Sequence, residues 1–219
     1  MKNKQFTHDE QIILKHIMQH RRDIRGNNFL SDPLSDKLIN QILAAASLAP
    51  SVGFSQPWEF VVIRDSHIKQ QITESFKVEN KKAQATFSTE KQTDYKTLKL
   101  EGILEAPVNI AVFYQPSKMP VLGQNSMQEM GPYSVVCAVQ NMWLMSRAMN
   151  IGLGWVSILD PKQVKQILKA PADNQLVAYL CLGYVKEFFS NPELERLNWE
   201  KRKKITSVVY RDQYQRFGT

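Results

Sequence analysis

The sequence has 219 residues, 43% of them hydrophobic, and a formal net charge of +7. A chain of this length buries about 70% of the surface that it exposes when unfolded, which predicts a single domain over residues 1–219. The positive charge suits an anionic partner, and a phosphorylated small molecule meets that need as well as a nucleic acid does. The polar start and the shortness of the longest apolar run, residues 176–185, predict a soluble, cytoplasmic protein without a membrane span.

Two cysteines, Cys137 and Cys181, lie in apolar stretches and belong to no Cys-x-x-Cys or Cys/His group. This usage is typical of buried free thiols in a reducing compartment. We therefore expect two buried thiols, no disulfide and no metal centre.

A first helix is predicted over residues 8–20, with Thr7 as its N-cap. Its inward-facing side chains are expected to be Ile12, Ile13, Ile17 and one of His16 and His20.

The helix leads into Arg21-Arg22-Asp23-Ile24-Arg25, three arginines around one carboxylate. Such a cluster can be a solvated charged surface. It can also be a phosphate clamp, because arginine forks match phosphate oxygens and a carboxylate among arginines stays ionised. The residues alone leave both interpretations open.

A second helix is predicted over residues 36–49, capped by Ser35 and stopped by Pro50, with a strand over residues 60–63 after it. The loop between them offers backbone amides, hydroxyls and a carboxamide. These groups belong to Ser51, Gly53, Ser55 and Gln56. They suit a planar heteroaromatic ligand with imide edges better than a metal ion.

The remaining elements alternate between helices and strands, which predicts α/β or α+β layering. Helices are expected from Asp65–Ser66 to about Lys82, within residues 74–99, over 133–149 and over 160–169; strands are expected over 108–114, 151–158 and 176–185. The helix over 133–149 is apolar on most faces, which favours the core or a subunit interface. The strand over 176–185 is almost wholly apolar and should be central in the sheet.

Three further segments carry signals of a different kind. Gly152 and Gly154 indicate a strand whose backbone passes close to a ligand or another chain. Residues 115–131 contain proline, glycine and methionine without a period, which is typical of a surface connection or a lid. The basic run at residues 201–204 lacks interleaved aromatic residues, so a solvated surface or one phosphate contact is favoured over nucleic-acid binding.

Four segments together resemble the nitroreductase superfamily: residues 21–25, 49–58, 98–103 and 154–158, and the similarity runs in order from about residue 21 to residue 199. The resemblance implies an FMN-binding α+β fold with three α/β/α layers around a mostly antiparallel sheet. It also implies a homodimer that exchanges helices and has two flavin sites at its interface.

The resemblance implies the following FMN-binding residues: Arg21, Arg22, Asp23, Ile24, Arg25, Ser51, Gln56, Leu100, Ser157 and Arg202. The region of Arg21 and Arg25, with Arg202 from the tail, would receive the phosphate. Ser51 and Gln56 would address the flavin and ribityl edges, and Leu100 would lie near the cofactor. Residues 115–131 would form a lid, and residues 199–219 would embrace the partner subunit.

Two positions depart from ordinary members of that superfamily: Asp23 replaces a typical serine and Phe54 a typical asparagine. They resemble a branch that fragments reduced FMN with molecular oxygen into 5,6-dimethylbenzimidazole, the lower ligand of cobalamin, and a four-carbon sugar phosphate. The catalytic residues would be Asp23, moving protons at the ribityl hydroxyls, and Ser157, hydrogen-bonded to the flavin edge. A separate flavin reductase would supply reduced FMN.

Two alternatives stay open at this point. One is an FMN-dependent nitroreductase that passes hydride from NAD(P)H to a small acceptor. The other is a flavin carrier or basic interaction module without turnover.

Overall fold

A four-stranded sheet organises the first part of the chain. Its strands are β1 (Trp58–Ile63), β2 (Val108–Tyr114), β3 (Gly152–Val156) and β4 (Gln175–Gly183). They lie in the order β1-β2-β4-β3, and every neighbouring pair is antiparallel. The computed structural model describes residues 3–214. The chain falls into two units, the first ending at Phe188 and the second beginning at Phe189.

Helices of the first unit cover both faces of this sheet, with α2 (Asp36–Ala46) and α5 (Met130–Ala148) on one face and α3 (Ser66–Ala85) and α6 (Pro161–Ile167) on the other. The first unit also contains α1 (His8–His20) and α4 (Thr89–Thr97), and the second unit contains α7 (Glu193–Arg196). In β2, Val108, Ile110 and Val112 pack in one core with α2 and α5, whereas Ala111 and Phe113 pack in the other with α3 and α6. This alternation confirms the predicted three layers around an antiparallel sheet. Within the described range, no helix is long and apolar enough to cross a membrane.

Four helices begin where their predicted caps stand. The side chains of Thr7, Ser35, Asp65 and Asp160 accept hydrogen bonds from backbone N–H groups in the first turns of α1, α2, α3 and α6. At α1 the Glu10 carboxylate also accepts from the Thr7 N–H at 2.7 Å, which completes a capping box. Helix starts are therefore determined locally by the sequence.

Helix ends were less well predicted. α2 ends at Ala46 rather than at residue 49, because a turn follows in which the Leu48 and Ala49 N–H groups bond to carbonyls only three residues back. The residue before a proline avoids the helical region, so Pro50 ends the helix early. The predicted polar helical segment 74–99 is divided between α3 and α4 by residues 86–88.

The predicted inward face of α1 is wrong. None of its residues is buried, the Ile13 side chain is 58% exposed, and His16 and His20 are both exposed. Ile12 and Ile17 are half-buried. Periodicity identifies an apolar stripe on a helix, but it does not say whether another part of the same chain covers that stripe.

Cys181 is buried as expected, whereas the prediction for Cys137 is wrong because this thiol is exposed on α5. Both thiols are free. The exposed face of α5 also carries Tyr133 and Val136, and Tyr133 lies three residues before Val136 and four residues before Cys137. A helix that is apolar on most faces gives no periodic signal for its outer side.

The two strand glycines mark a close approach within the chain itself. Asp23 pairs in parallel with Leu153 of β3, and the Ile24 N–H donates to the Leu153 carbonyl at 3.1 Å. A Cβ atom on Gly154 would lie 2.0 Å from the Ile24 carbonyl oxygen. The neighbour that Gly154 admits is thus residues 23–24, rather than the ligand or second chain that the sequence suggested.

Up to residue 214, the second unit contains α7 and one 3-10 turn, Ile205–Ser207. Its residues 201–210 are exposed. Of the predicted embracing tail, residues 199–219, the last five lie outside the described residues. The tail's role and the assignment of one domain to the whole chain stay predictions.

We expect Gly154→Ala to reduce the free energy of unfolding by about 1–3 kcal/mol, because the new methyl group must displace the Ile24 backbone. Urea unfolding followed by circular dichroism measures this change. A variant as stable as the wild type would mean that residues 23–24 move away from β3 without cost.

Candidate active site

The Asp23 carboxylate is held at the free edge of β3. Its Oδ1 accepts from the Trp155 backbone N–H at 2.9 Å, and its Oδ2 forms an ion pair with Arg25 Nη2. The Asp23 side chain is 32% exposed. Because two charge-assisted contacts hold it, the carboxylate has a defined direction at the surface of the sheet.

Removal from water raises the pKa of the Asp23 carboxyl above its usual value. Arg25, the Trp155 N–H and Arg21 act in the opposite direction and stabilise the carboxylate. The cost of removing the carboxylate from water outweighs these contributions, so the net shift of the Asp23 pKa is upward.

Arg25 binds groups of its own chain. Besides Asp23, its Nη1 donates to the carbonyls of Leu100 and Trp155, at 3.3 Å each. Its side chain is only 14% exposed. Leu100, a predicted cofactor neighbour, is thereby brought beside Arg25 and Asp23.

The other two arginines of the segment lie against α5. Arg22 is buried, and its Nη1 donates to the carbonyls of Gln19 and Arg21. The Arg21 guanidinium lies 4.5 Å from the ring centroid of Trp143, and the Trp143 indole N–H donates to the Arg22 carbonyl at 3.1 Å. This cation–π contact fixes Arg21 while leaving it partly exposed.

Ile24 and Ser157 complete this group in different ways. The Ile24 side chain is buried in the core, so only its backbone can face a ligand. Ser157 is exposed just past the end of β3, two residues after Trp155. It borders a cavity of about 180 Å³ that also contacts Pro161 and Tyr179. The structure therefore brings Asp23, Arg25 and the Leu100 carbonyl into contact. Ser157 lies two residues further along the chain from Trp155, to which Asp23 is bonded.

A second group of predicted residues lies in the loop between α2 and β1. Ser51 Oγ accepts from the Gln56 N–H at 3.0 Å, and the N–H of Val52 donates to Ser134 Oγ on α5 at 3.0 Å. Gln56 has a left-handed backbone with φ of 48°. Strained backbone of this kind is frequent at ligand-binding loops.

The same loop contains an unsatisfied polar atom. Ser55 Oγ is buried and has no hydrogen-bond partner among the described residues. Phe54, the unusual residue of the motif, has φ of 54° and points outward, being 79% exposed. This loop therefore offers a planar ligand an aromatic ring to pack against and a hydroxyl with which to form a hydrogen bond.

The predicted lid lies against this loop. A Cβ atom on Gly53, whose φ is 55°, would stand 2.8 Å from the Leu122 carbonyl oxygen. Gln124 Nε2 donates to the Tyr114 hydroxyl at 3.0 Å, and both residues line a cavity of about 710 Å³. Residues 115–129 are irregular as predicted, whereas 130 and 131 belong to α5. Movement of this segment as a lid stays a prediction.

Arg202 lies in the second unit, where it is exposed. Its predicted contact with a phosphate stays a prediction.

Sequence reasoning missed three residues that build the site. Trp155 contributes its backbone N–H and carbonyl, Trp143 contributes a ring face, and Ser134 binds a neighbouring loop through its hydroxyl. Backbone groups carry no residue-type signal. Trp143 and Ser134 belong to a helix whose apolar pattern predicted a core position, and that pattern gave no sign of their polar contacts.

The arrangement is suited to proton transfer beside a planar, anionic ligand. It offers one carboxyl with a raised pKa, one exposed hydroxyl and several cations. Among residues 3–214 there is no group of three or more His, Cys, Asp or Glu side chains placed to hold a metal ion.

Comparison with known proteins identifies relatives over most of the chain. A model of the nitroreductase family matches residues 18–184. The 5,6-dimethylbenzimidazole synthase of Rhodospirillum rubrum is 44% identical over 189 residues, which cover 85% of this chain and 89% of that protein.

Solved structures share the fold. An iodotyrosine deiodinase bound to FMN and 3-iodo-L-tyrosine has a TM-score of 0.73 at 20% identity, covering 92% of this chain and 100% of that one. A BluB-like flavoprotein from Clostridium difficile 630 has a TM-score of 0.68 at 19% identity, covering 90% and 97%. With the sequence match spanning the sheet and both groups of site residues, the chain belongs to the nitroreductase family.

Proposed function

We propose that this protein is a 5,6-dimethylbenzimidazole synthase, which converts reduced FMN and molecular oxygen into 5,6-dimethylbenzimidazole and a four-carbon sugar phosphate. The observation that carries the proposal is the carboxylate of Asp23, held on the Trp155 N–H and Arg25 beside the end of β3. A carboxylate near an anionic cofactor is unfavourable for binding alone, so it indicates a chemical role. The 44% identity to a protein of that name supports the same activity.

The residues present fit FMN. Ser55 Oγ is a buried hydroxyl without a partner among the described residues, and the neighbouring Gln56 has a left-handed backbone of the kind found at ligand-binding loops. Arg21 offers a fixed and partly exposed guanidinium for the phosphate, with Arg25 adding positive charge nearby and Arg202 as a further candidate. Ser51 and Gln56 would bind the flavin and ribityl edges.

Bound reduced FMN supplies the electrons for the reaction with oxygen. The chain supplies the proton transfer and the enclosure. Asp23 would accept and return a proton at a ribityl hydroxyl, and the removal of its carboxylate from water, which raises its pKa, favours proton uptake there. Ser157 would donate a hydrogen bond to the flavin edge, and residues 115–131 would exclude water as a lid.

We further propose that a second copy of the chain completes the site. The exposed face of α5, with Tyr133 and Val136, provides an apolar surface for that copy. The loop holding Ser51 and the segment holding Asp23 are anchored on different parts of α5, and in a dimer the two groups from different copies would meet over one flavin.

The proposed setting is the cytoplasm, with reduced FMN delivered by a separate flavin reductase. The free thiols of Cys137 and Cys181 support a reducing compartment.

We expect protein loaded with anaerobically reduced FMN to form 5,6-dimethylbenzimidazole and lose FMN when oxygen is admitted, as measured by mass spectrometry. Reduced FMN without protein is the control and should return oxidised FMN only. Return of intact oxidised FMN from the protein, with steady NADPH oxidation on a nitroaromatic, would favour a conventional nitroreductase instead.

Replacement Asp23→Asn is expected to lower the yield of 5,6-dimethylbenzimidazole by at least about 100-fold, because the amide cannot transfer the proton. Binding of reduced FMN, followed by flavin fluorescence after reoxidation, should change little. Asp32→Asn removes an exposed carboxylate of the same kind and serves as the matched control. Near-normal yield from Asp23→Asn would remove this residue from the mechanism.

A charge placed on the exposed face of α5 should separate the two copies. We expect Val136→Glu to be monomeric by light scattering and to lose FMN binding, since each site would lack the other copy's contribution. Val78→Glu, at a valine of α3 that is 55% exposed, is the control and should behave as the wild type. A dimeric, FMN-binding Val136→Glu protein would contradict the proposed interface.

A further inference from the structure

Glu101 is a carboxylate buried in an irregular turn below the Asp23 group. Its side chain is 11% exposed. One oxygen pairs with Lys99 Nζ at 2.9 Å, and the other accepts from the Ile103 N–H at 2.7 Å. A buried carboxylate is costly to desolvate unless it is paired, so its place in this turn calls for a reason.

The turn is joined directly to the segment that carries Arg25. The Gly26 N–H donates to the Glu101 carbonyl at 2.8 Å, and Arg25 Nη1 donates to the carbonyl of Leu100 at 3.3 Å. The packing is close, because a Cβ atom on Gly102 would lie 3.0 Å from the Gly26 nitrogen. A displacement of this turn would therefore move the Leu100 carbonyl, which accepts a hydrogen bond from Arg25.

Glu101 is also one of the charged groups that surround the buried thiol of Cys181. Arg25 and Lys69 are both largely buried cations, and Lys69 Nζ donates to the Ala106 carbonyl at 2.5 Å. Both cations, together with Glu101, act on the buried thiol of Cys181, whose pKa is raised by burial. Asp23 pairs with Arg25, and Glu101 adds a negative charge near the same buried thiol.

We propose that Glu101 is a positioning residue: its contacts with Lys99 and the Ile103 N–H hold the Leu100 carbonyl, which keeps Arg25 on the Asp23 carboxylate. For its effect on turnover, this inference rests on the proposed function. Glu105 is the matched comparison, because it pairs with the same Lys99 Nζ at 2.9 Å and its carboxylate lies over Gly26, where a Cβ atom would be 2.6 Å from Glu105 Oε1. Its side chain is 37% exposed, against 11% for Glu101.

The first test does not depend on turnover. Amide hydrogen exchange at the Trp155 N–H, which donates to Asp23, should be accelerated about tenfold by Glu101→Gln. Groups of β3 that pair with β4 should keep their wild-type exchange. Glu105→Gln is the matched control and should leave the Trp155 N–H unchanged. Equal exchange in the two variants would overturn the proposal.

The second test measures product formation. Glu101→Gln should lower kcat for 5,6-dimethylbenzimidazole about tenfold with little change in the half-saturating concentration of reduced FMN, whereas Glu105→Gln should retain both. In an Asp23→Asn background, Glu101→Gln should have no further effect, because the two residues act through one contact. Losses that multiply in the double variant would overturn the inference.

The exchange measurement tests Glu101 even if the proposed function fails. Wild-type protein that makes no 5,6-dimethylbenzimidazole contradicts the function alone, and the exchange measurement still decides the role of Glu101. If Glu101→Gln does not fold, Lys99→Gln removes the partner ammonium, which is 39% exposed, and should accelerate exchange at the same N–H. Unchanged exchange in Lys99→Gln would then count against the proposal.

Discussion

The close approach of residues 23–24 to β3 is the constraint on which the site depends. It exists because position 154 carries no side chain, so the Ile24 carbonyl occupies the space of a Cβ atom. With that approach, the outer N–H of Trp155 meets a carboxylate rather than water. The edge of the sheet is thus closed by a segment that brings charge, instead of by another strand.

Opposite charges lie close together near that edge of the sheet. Arg25 is shared by Asp23 and two backbone carbonyls, and Glu101 adds a negative charge near the buried thiol of Cys181. Buried charges are tolerated when each has partners in a fixed geometry, and they then direct one another strongly. The reactivity proposed for Asp23 is therefore a property of the whole group and not of one side chain.

Much of the fold could be predicted because helix caps and apolar runs are local features of the sequence. The caps at Thr7, Ser35, Asp65 and Asp160 identified helix starts, and the apolar strand before Val185 was correctly taken as central. The exposure of Ile13 and Cys137 could not be predicted, because apolar periodicity does not identify what covers a surface. The hydrogen bonds of Trp155 also escaped prediction, since they come from the backbone.

Helix α5 has a consequence for how this site can vary. Ser134 near its start holds the loop of Ser51, and Trp143 holds the arginine segment. Nine residues of helix separate these two anchors, a rise of about 13.5 Å. One residue inserted between them would turn the second anchor by about 100° around the axis, away from its segment. The spacing of the two anchors is therefore a fixed length of the molecule, and sequence change can alter the side chains of either group more readily than the distance between the two groups.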